Sequence, residues 1–222
     1  MIGLTAGVPR GRRFSVLCLG AHADDIEIGC GGTILRLLAE RPRTVVHWVV
    51  ASAHGVRARE ARRSATRMLK EAAAHDIRIE SFRDGFLPYE GTRVKEMFEE
   101  LKAQLSPDLI FTHRIDDAHQ DHRLMSELTW NTFRDHWILE YEIPKYDGDL
   151  GHPNVFVAIP AAIRRKKVRL LLSAFPSQRQ RRWFTEATFD GLMRIRGIEC
   201  AAPDGYAEAF HGRKMMLDTS SR

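Results

Sequence analysis

Short apolar runs alternate along this chain with segments of helical periodicity, and that alternation restricts the fold more than any other feature. "FSVLCLG" (14–20) and "TVVHWVVAS" (44–52) are nearly continuous apolar stretches, as expected of strands buried on both faces. "IRIESF" (77–82), "PDLIFTH" (107–113), "ILEYEI" (138–143) and "NVFVAI" (154–159) are further strand candidates. Helical spacing occupies "TILRLLAE", 59–75, 92–105 and 124–136, and the C-terminal third reads as two helices and a polar tail. Strands alternating with helices predict an α/β fold, a Rossmann-like and mostly parallel sheet with helices on both faces. With 222 residues and no repeat or linker, residues 1–222 are expected to form a single domain.

Sheets of this kind bind ligands outside the carboxyl ends of their strands, where strand order reverses. Two polar, histidine-bearing turns fall at such ends: "GAHADDIEIGCGG" (20–32) after the first strand and "THRIDDAHQDHR" (112–123) after the run 108–112. Gly29, Gly31 and Gly32 suggest a phosphate cradle ahead of a helix, but a dinucleotide fingerprint needs its glycines at the strand-to-helix turn. Here His22, Asp24 and Asp25 occupy that turn, and two carboxylates repel a pyrophosphate. The glycines are expected instead to pack the helix start tightly against the strands or to adopt positive φ.

A metal site suits the residue types better. Zinc takes histidine nitrogen and carboxylate oxygen, and a catalytic zinc keeps three protein ligands and one open position. His22 and Asp25 are three residues apart on one turn, and His119 and His122 are three apart at a helix start, so both pairs can face one ion. Three cysteines, Cys18, Cys30 and Cys200, have no paired spacing and are expected to be reduced thiols. No apolar stretch approaches the ~20 residues that span a bilayer, and Met1–Arg13 lacks a secretory pattern. The chain is therefore expected to be cytoplasmic, with no membrane partner.

The formal net charge of +5 gathers in two runs, Arg164, Arg165, Lys166, Lys167 and Arg169, then Arg179, Arg181 and Arg182. They raise the alternative of a nucleic-acid-binding protein using the region 164–182. Core-like spacing of Ile163, Val168, Leu171, Leu172 and Phe175 disfavours it by placing the bases on a solvated helix face. Trp130, Phe133 and Trp137 read as core along one helix, with a homo-oligomer contact as the other use.

The two turns carry a resemblance. "AHADD…GCGG" resembles the first signature, and "DDAHQDHR" the H-x-D-H signature, of the PIG-L/LmbE-like family of zinc-dependent N-acetylglucosaminyl deacetylases. "RARE" (57–60), "RDGFL" (83–87), "PSQ" (176–178) and "GYAEAF" (205–210) resemble further family blocks. The resemblance implies a metal-dependent amide hydrolase in which His22, Asp25 and His122 hold zinc or another divalent metal. It gives Asp24 the general-base position and His119 the position that, protonated, stabilises the oxyanion or assists as acid, either of the two being able to protonate the leaving amine. Asp121 would orient a histidine, and Arg57 and Asp84 would contact the sugar. The substrate implied is a small N-acetylated amino sugar or conjugate, with an amidase acting on another acylated amine as the alternative. Ala23 replaces the family's proline, Ile26 a common glutamate, and Asp117 a tyrosine found in some members.

Overall fold

The computed structural model describes Pro9 and residues 11–216. The chain runs β1 (Phe14–His22), α1 (Asp25–Glu40), β2 (Thr44–Ser52), α2 (Gly55–Met68), β3 (Ala74–Ile79), α3 (Gly91–Gln104), β4 (Leu109–His113) and α4 (Gln120–Thr132). It continues through β5 (Trp137–Tyr141), β6 (Val155–Ala158), α5 (Ala161–Ala174), α6 (Glu186–Glu199) and β7 (Ala207–His211). The sheet order is β3-β2-β1-β4-β5-β7-β6. The first five strands pair in parallel, and β7 lies antiparallel between β5 and β6. From β1 the chain builds outward to β3 and then crosses back to β4, so the reversal of order lies between β1 and β4.

The alternation of side chains along β1 divides the core. Val16 and Cys18 pack with Ile26, Ala65, Leu171 and Phe189, on the face of α1, α2, α5 and α6. Leu17, Leu19 and Ala21 pack with Phe98 and Met125, on the face of α3 and α4. Burial on both faces is why these strands read as unbroken apolar runs.

Several boundaries differ from those expected. The helix read over 59–75 stops at Met68, because Ala74–Ile79 pairs in register with Val45–Val50 and ladder bonding overrides alanine's helical preference. The 77–82 strand accordingly starts and ends earlier. The segment 207–211, where no strand was expected, forms β7. Trp130, Phe133 and Trp137 do not share one helix: Phe133 caps α4 and Trp137 opens β5. The bases of α5 are not all solvated. Lys167 is buried, Arg164 pairs with Asp190, and Lys166 pairs with Glu71. The three cysteines are unpaired, and no helix among the described residues is long and apolar enough to cross a membrane. Residues 1–8, 10 and 217–222, which include most of the segment Met1–Arg13 and the end of the expected polar tail, lie outside the described residues.

Candidate metal centre

Strand β1 ends on His22, and α1 begins three residues later on Asp25, so the first turn is pinned between a central strand and a helix start. The His22 amide donates to Asp25 Oδ2 at 2.6 Å, which folds the carboxylate back toward the imidazole. Across the order reversal, β4 ends on His113, and α4 takes His119 as its N-cap, the Asp121 amide donating to His119 Nδ1 at 3.2 Å. One helical turn then presents His119 and His122 together, with ring centroids 4.7 Å apart.

Three donor atoms converge at this junction. His22 Nδ1 lies 3.1 Å from His122 Nε2, and Asp25 Oδ2 lies 3.4 Å from the first and 3.6 Å from the second. Metal–ligand bonds of about 2.0–2.1 Å at tetrahedral angles separate donors by about 3.3–3.4 Å, so this triangle has the dimensions of three zinc ligands. The outer nitrogens set the tautomers. His22 Nε2 is 3.2 Å from both Asp121 Oδ2 and Asp84 Oδ1, and His122 Nδ1 is 3.0 Å from Asp117 Oδ2. The outer nitrogen of each imidazole thus faces a carboxylate, and the inner nitrogens, His22 Nδ1 and His122 Nε2, face each other. Two imidazole nitrogens facing each other at hydrogen-bond distance, with a carboxylate oxygen beside them, form a donor set that a cation could satisfy once the inner nitrogens are unprotonated.

Other sets of metal-capable groups overlap this one, including His22, His119 and His122; Asp25, His113 and His122; and His22, Asp84 and Asp121. His113 Nε2 is already engaged by the Ala21 amide at 2.9 Å and lies 3.1 Å from the Tyr141 hydroxyl. Asp121 accepts from the Gly85 and Leu87 amides, at 2.7 and 3.1 Å. His22 and His122 each recur in two of these three sets and Asp25 enters one, its Oδ2 also lying 3.1 Å from His113 Nε2. Burial alone would raise the Asp25 carboxyl, but the neighbouring His122, His113 and His22 outweigh it and hold it well below the usual carboxylate range.

Asp24 is the N-cap of α1 and is buried. Its Oδ1 accepts from Arg57 Nη2 at 2.6 Å, whereas Oδ2 is buried with no hydrogen-bond partner among the described residues. Burial raises its pKa against the opposing pull of Arg57. Arg57 also lies 3.5 Å from Glu60, whose carboxylate accepts from the Ser177 amide and hydroxyl. The "RARE" and "PSQ" segments therefore meet at this wall. His119 has its pKa lowered, first by burial and then by the charges of His122 and His22.

All eight residues singled out in the sequence thus stand at one sheet edge. Two neighbours were missed there. Asp117, noted in the sequence only as standing where some family members carry a tyrosine, is the carboxylate that holds His122. His113, the last residue of an apolar run, stacks on His122 at a 3.9 Å centroid distance.

Residues 17–133 match the PIG-L family, described as GlcNAc-PI de-N-acetylase. No curated protein matches the chain. Among solved structures, the conserved protein TT1542 from Thermus thermophilus aligns with a TM-score of 0.72 at 23% identity, covering 93% of this chain and 98% of that one. The N,N'-diacetylchitobiose deacetylase from Pyrococcus horikoshii aligns at 0.66 and 22% identity, covering 93% and 86%. GalB, the 4-carboxy-2-hydroxymuconate hydratase from Pseudomonas putida KT2440, aligns at 0.71 and 16%, covering 94% and 100%. At these identities the likeness is one of fold. With the family match spanning more than half of its length and a divalent-metal donor set at the strand ends, the chain belongs to the PIG-L family of metal-dependent amide hydrolases.

Proposed function

We propose that the protein removes the acetyl group from an N-acetylated amino sugar or a conjugate of one, using zinc or another divalent metal held by His22, Asp25 and His122. One observation carries the reading: the inner nitrogens of two carboxylate-held imidazoles meet Asp25 Oδ2, one residue along from Asp24, whose Oδ2 has no hydrogen-bond partner among the described residues. When bound, a divalent ion there supplies Lewis-acid polarisation of the acetamide carbonyl and lowers the pKa of water.

The chain's own residues supply the proton chemistry. Asp24 Oδ2 accepts a proton from the attacking water, and its raised proton affinity suits a general base. His119 receives the Asp121 amide on Nδ1, so its proton sits on Nε2. It therefore acts as a neutral N–H donor to the carbonyl oxygen as that oxygen gains charge. The lowered pKa of His119 supports this neutral form over the protonated one expected from the resemblance. As the C–N bond breaks, Asp24 returns its proton to the leaving amine. Arg57 fixes the Asp24 carboxylate through Oδ1, and Arg57 and the exposed Asp84 carboxylate are placed to receive sugar hydroxyls. We read the chain as one domain, since α6 and β7 share a core cluster with α1, and as cytoplasmic, since its three thiols are free.

Acetate release from a panel of N-acetylated amino sugars and other acylated amines, with and without a chelator, tests the proposal. Chelation is expected to abolish release and zinc to restore it. Asp24→Asn is expected to keep its metal and lose about 100-fold or more in turnover, the scale of a removed general base. A fully active variant rejects the role given to Asp24. Activity indifferent to chelation rejects the metal site, and release confined to acylated amines without a sugar rejects the substrate class.

A further inference from the structure

The loop from Arg83 to Glu90 forms one rim of the site and exposes two aromatic rings. Phe86 is 37% exposed and Tyr89 81%, and their centroids lie 5.7 Å apart at 52°. Exposed aromatics usually sit on mobile surface, but this pair is held. The peptide groups on both sides of Phe86 donate to a single carboxylate, Gly85 N to Asp121 Oδ2 at 2.7 Å and Leu87 N to Asp121 Oδ1 at 3.1 Å. Gln120 Nε2 donates to the Gly85 carbonyl at 3.0 Å, the buried Leu87 anchors the loop, and the Arg83 guanidinium lies 3.5 Å over the Phe86 ring. The clamping carboxylate is the one 3.2 Å from His22 Nε2. Asp84, whose Oδ1 reaches the same nitrogen at 3.2 Å, is only two residues from Phe86, a span of at most ~7 Å along the chain.

We infer that Phe86 and Tyr89 form a stacking platform for a second ring of the substrate, attached to the amino sugar whose acetamide enters the metal centre. The inference rests on the deacetylase reading above. A ring with a flat apolar face, saccharide or aryl, gains contact and dispersion against an aromatic pair. Because the loop is already ordered by Asp121 and Gln120, little conformational entropy is lost when it binds. Asp84, two residues before Phe86, reaches His22 Nε2, so a ring held by the pair would be the one linked to the sugar at the metal centre.

Calorimetric binding to the zinc-loaded protein, with deacetylated ligands that cannot turn over, provides the test. Methyl β-glucosaminide is the reference without a second ring. The 4-nitrophenyl β-glucosaminide and the β-1,4-linked glucosamine disaccharide each add one, aryl and saccharide respectively. At least one of the two is expected to bind about 5- to 10-fold more tightly than the methyl glycoside. Phe86→Ala and Tyr89→Ala should each cut that ratio to about twofold or less, and Phe86→Trp should preserve it; Tyr89 is exposed enough that its variant tests the platform even if Phe86→Ala destabilises the loop. Equal binding of all three ligands, or a ratio unmoved by both alanine variants, overturns the platform. Acetate release from the acetylated forms is measured alongside. Ring-dependent binding without acetate release keeps the platform and rejects the deacetylase reading, whereas release without ring dependence does the reverse.

Discussion

Asp117 sends Oδ2 to His122 Nδ1 at 3.0 Å, while Oδ1 accepts from the His119 amide at 2.8 Å and lies 3.1 Å from Lys145 Nζ. Burial would raise this carboxyl, but the hydrogen bond and charge of His122 reverse the effect and hold it far below the ordinary range. Its contact with Nδ1 leaves Nε2 as the nitrogen of His122 that faces His22. Asp117→Asn keeps the volume but removes the charge that selects the tautomer. Its zinc affinity, measured by competition with a chromophoric chelator, is expected to fall about 10- to 100-fold. Affinity equal to that of the parent protein would show that His122 needs no such partner. His22, Asp24, Asp25, His119 and His122 were legible because they are neighbours in sequence on two short turns. Asp117 was not, since nothing in spacing says that a loop aspartate will fold back onto the following helix. His113 drew no role because it closes an apolar strand, where nothing in the spacing says that its ring will stack on His122.

At the scale of elements, α1 explains the glycines that first suggested a phosphate cradle. They lie inside the helix rather than ahead of it, and Gly29, Gly31 and Gly32 all have ordinary negative φ. A Cβ on Gly29 would run into the ring of Tyr141, so the missing side chain lets α1 pack directly onto β5. Tyr141 in turn donates its hydroxyl to the Leu19 carbonyl at 2.6 Å, within the strand that ends on His22. Gly29→Ala is expected to cost about 1–3 kcal/mol, the usual penalty of overpacking, read as a lowered denaturation midpoint in urea. An unchanged midpoint would mean that Tyr141 can move aside without loss. The order of elements was legible from periodicity, but their ends were not. Where α2 stops and β3 starts depends on which residues meet β2, and the sequence between 69 and 75, "LKEAAAH", carries no marker of that pairing.

Across the whole molecule, the amides near those glycines do hold an anion, and it is the protein's own. Glu208 on β7 accepts from the Gly32 amide at 2.8 Å through Oε1 and from the Thr33 amide at 2.6 Å through Oε2. Lys167 on α5 donates to the same carboxylate at 2.6 Å and to the Ile28 carbonyl at 2.7 Å. A Cβ on Gly32 would sit 2.8 Å from Glu208 Oε1, so the glycine admits the carboxylate to the helix backbone. The alternation of strands and helices revealed the sheet, yet this lock joins residues 176 positions apart and left no local pattern to read. It also explains why one base of the α5 run is buried among apolar residues, where a solvated helix face was expected. Lys167→Met retains the bulk of the stem but leaves Glu208 charged and unpaired in the interior. Breaking a buried pair in this way costs about 3–5 kcal/mol. For a chain of this size each kcal/mol moves the melting temperature by about 2–4 °C, so a thermal melt should fall by about 6–20 °C. Because the lock grips α1 between Ile28 and Thr33, within about two turns of Asp25, the same variant is expected to bind zinc more weakly at temperatures where it is still folded. A melt within about 2 °C of the parent, with zinc binding intact, would show that the amides of Gly32 and Thr33 alone suffice to hold Glu208.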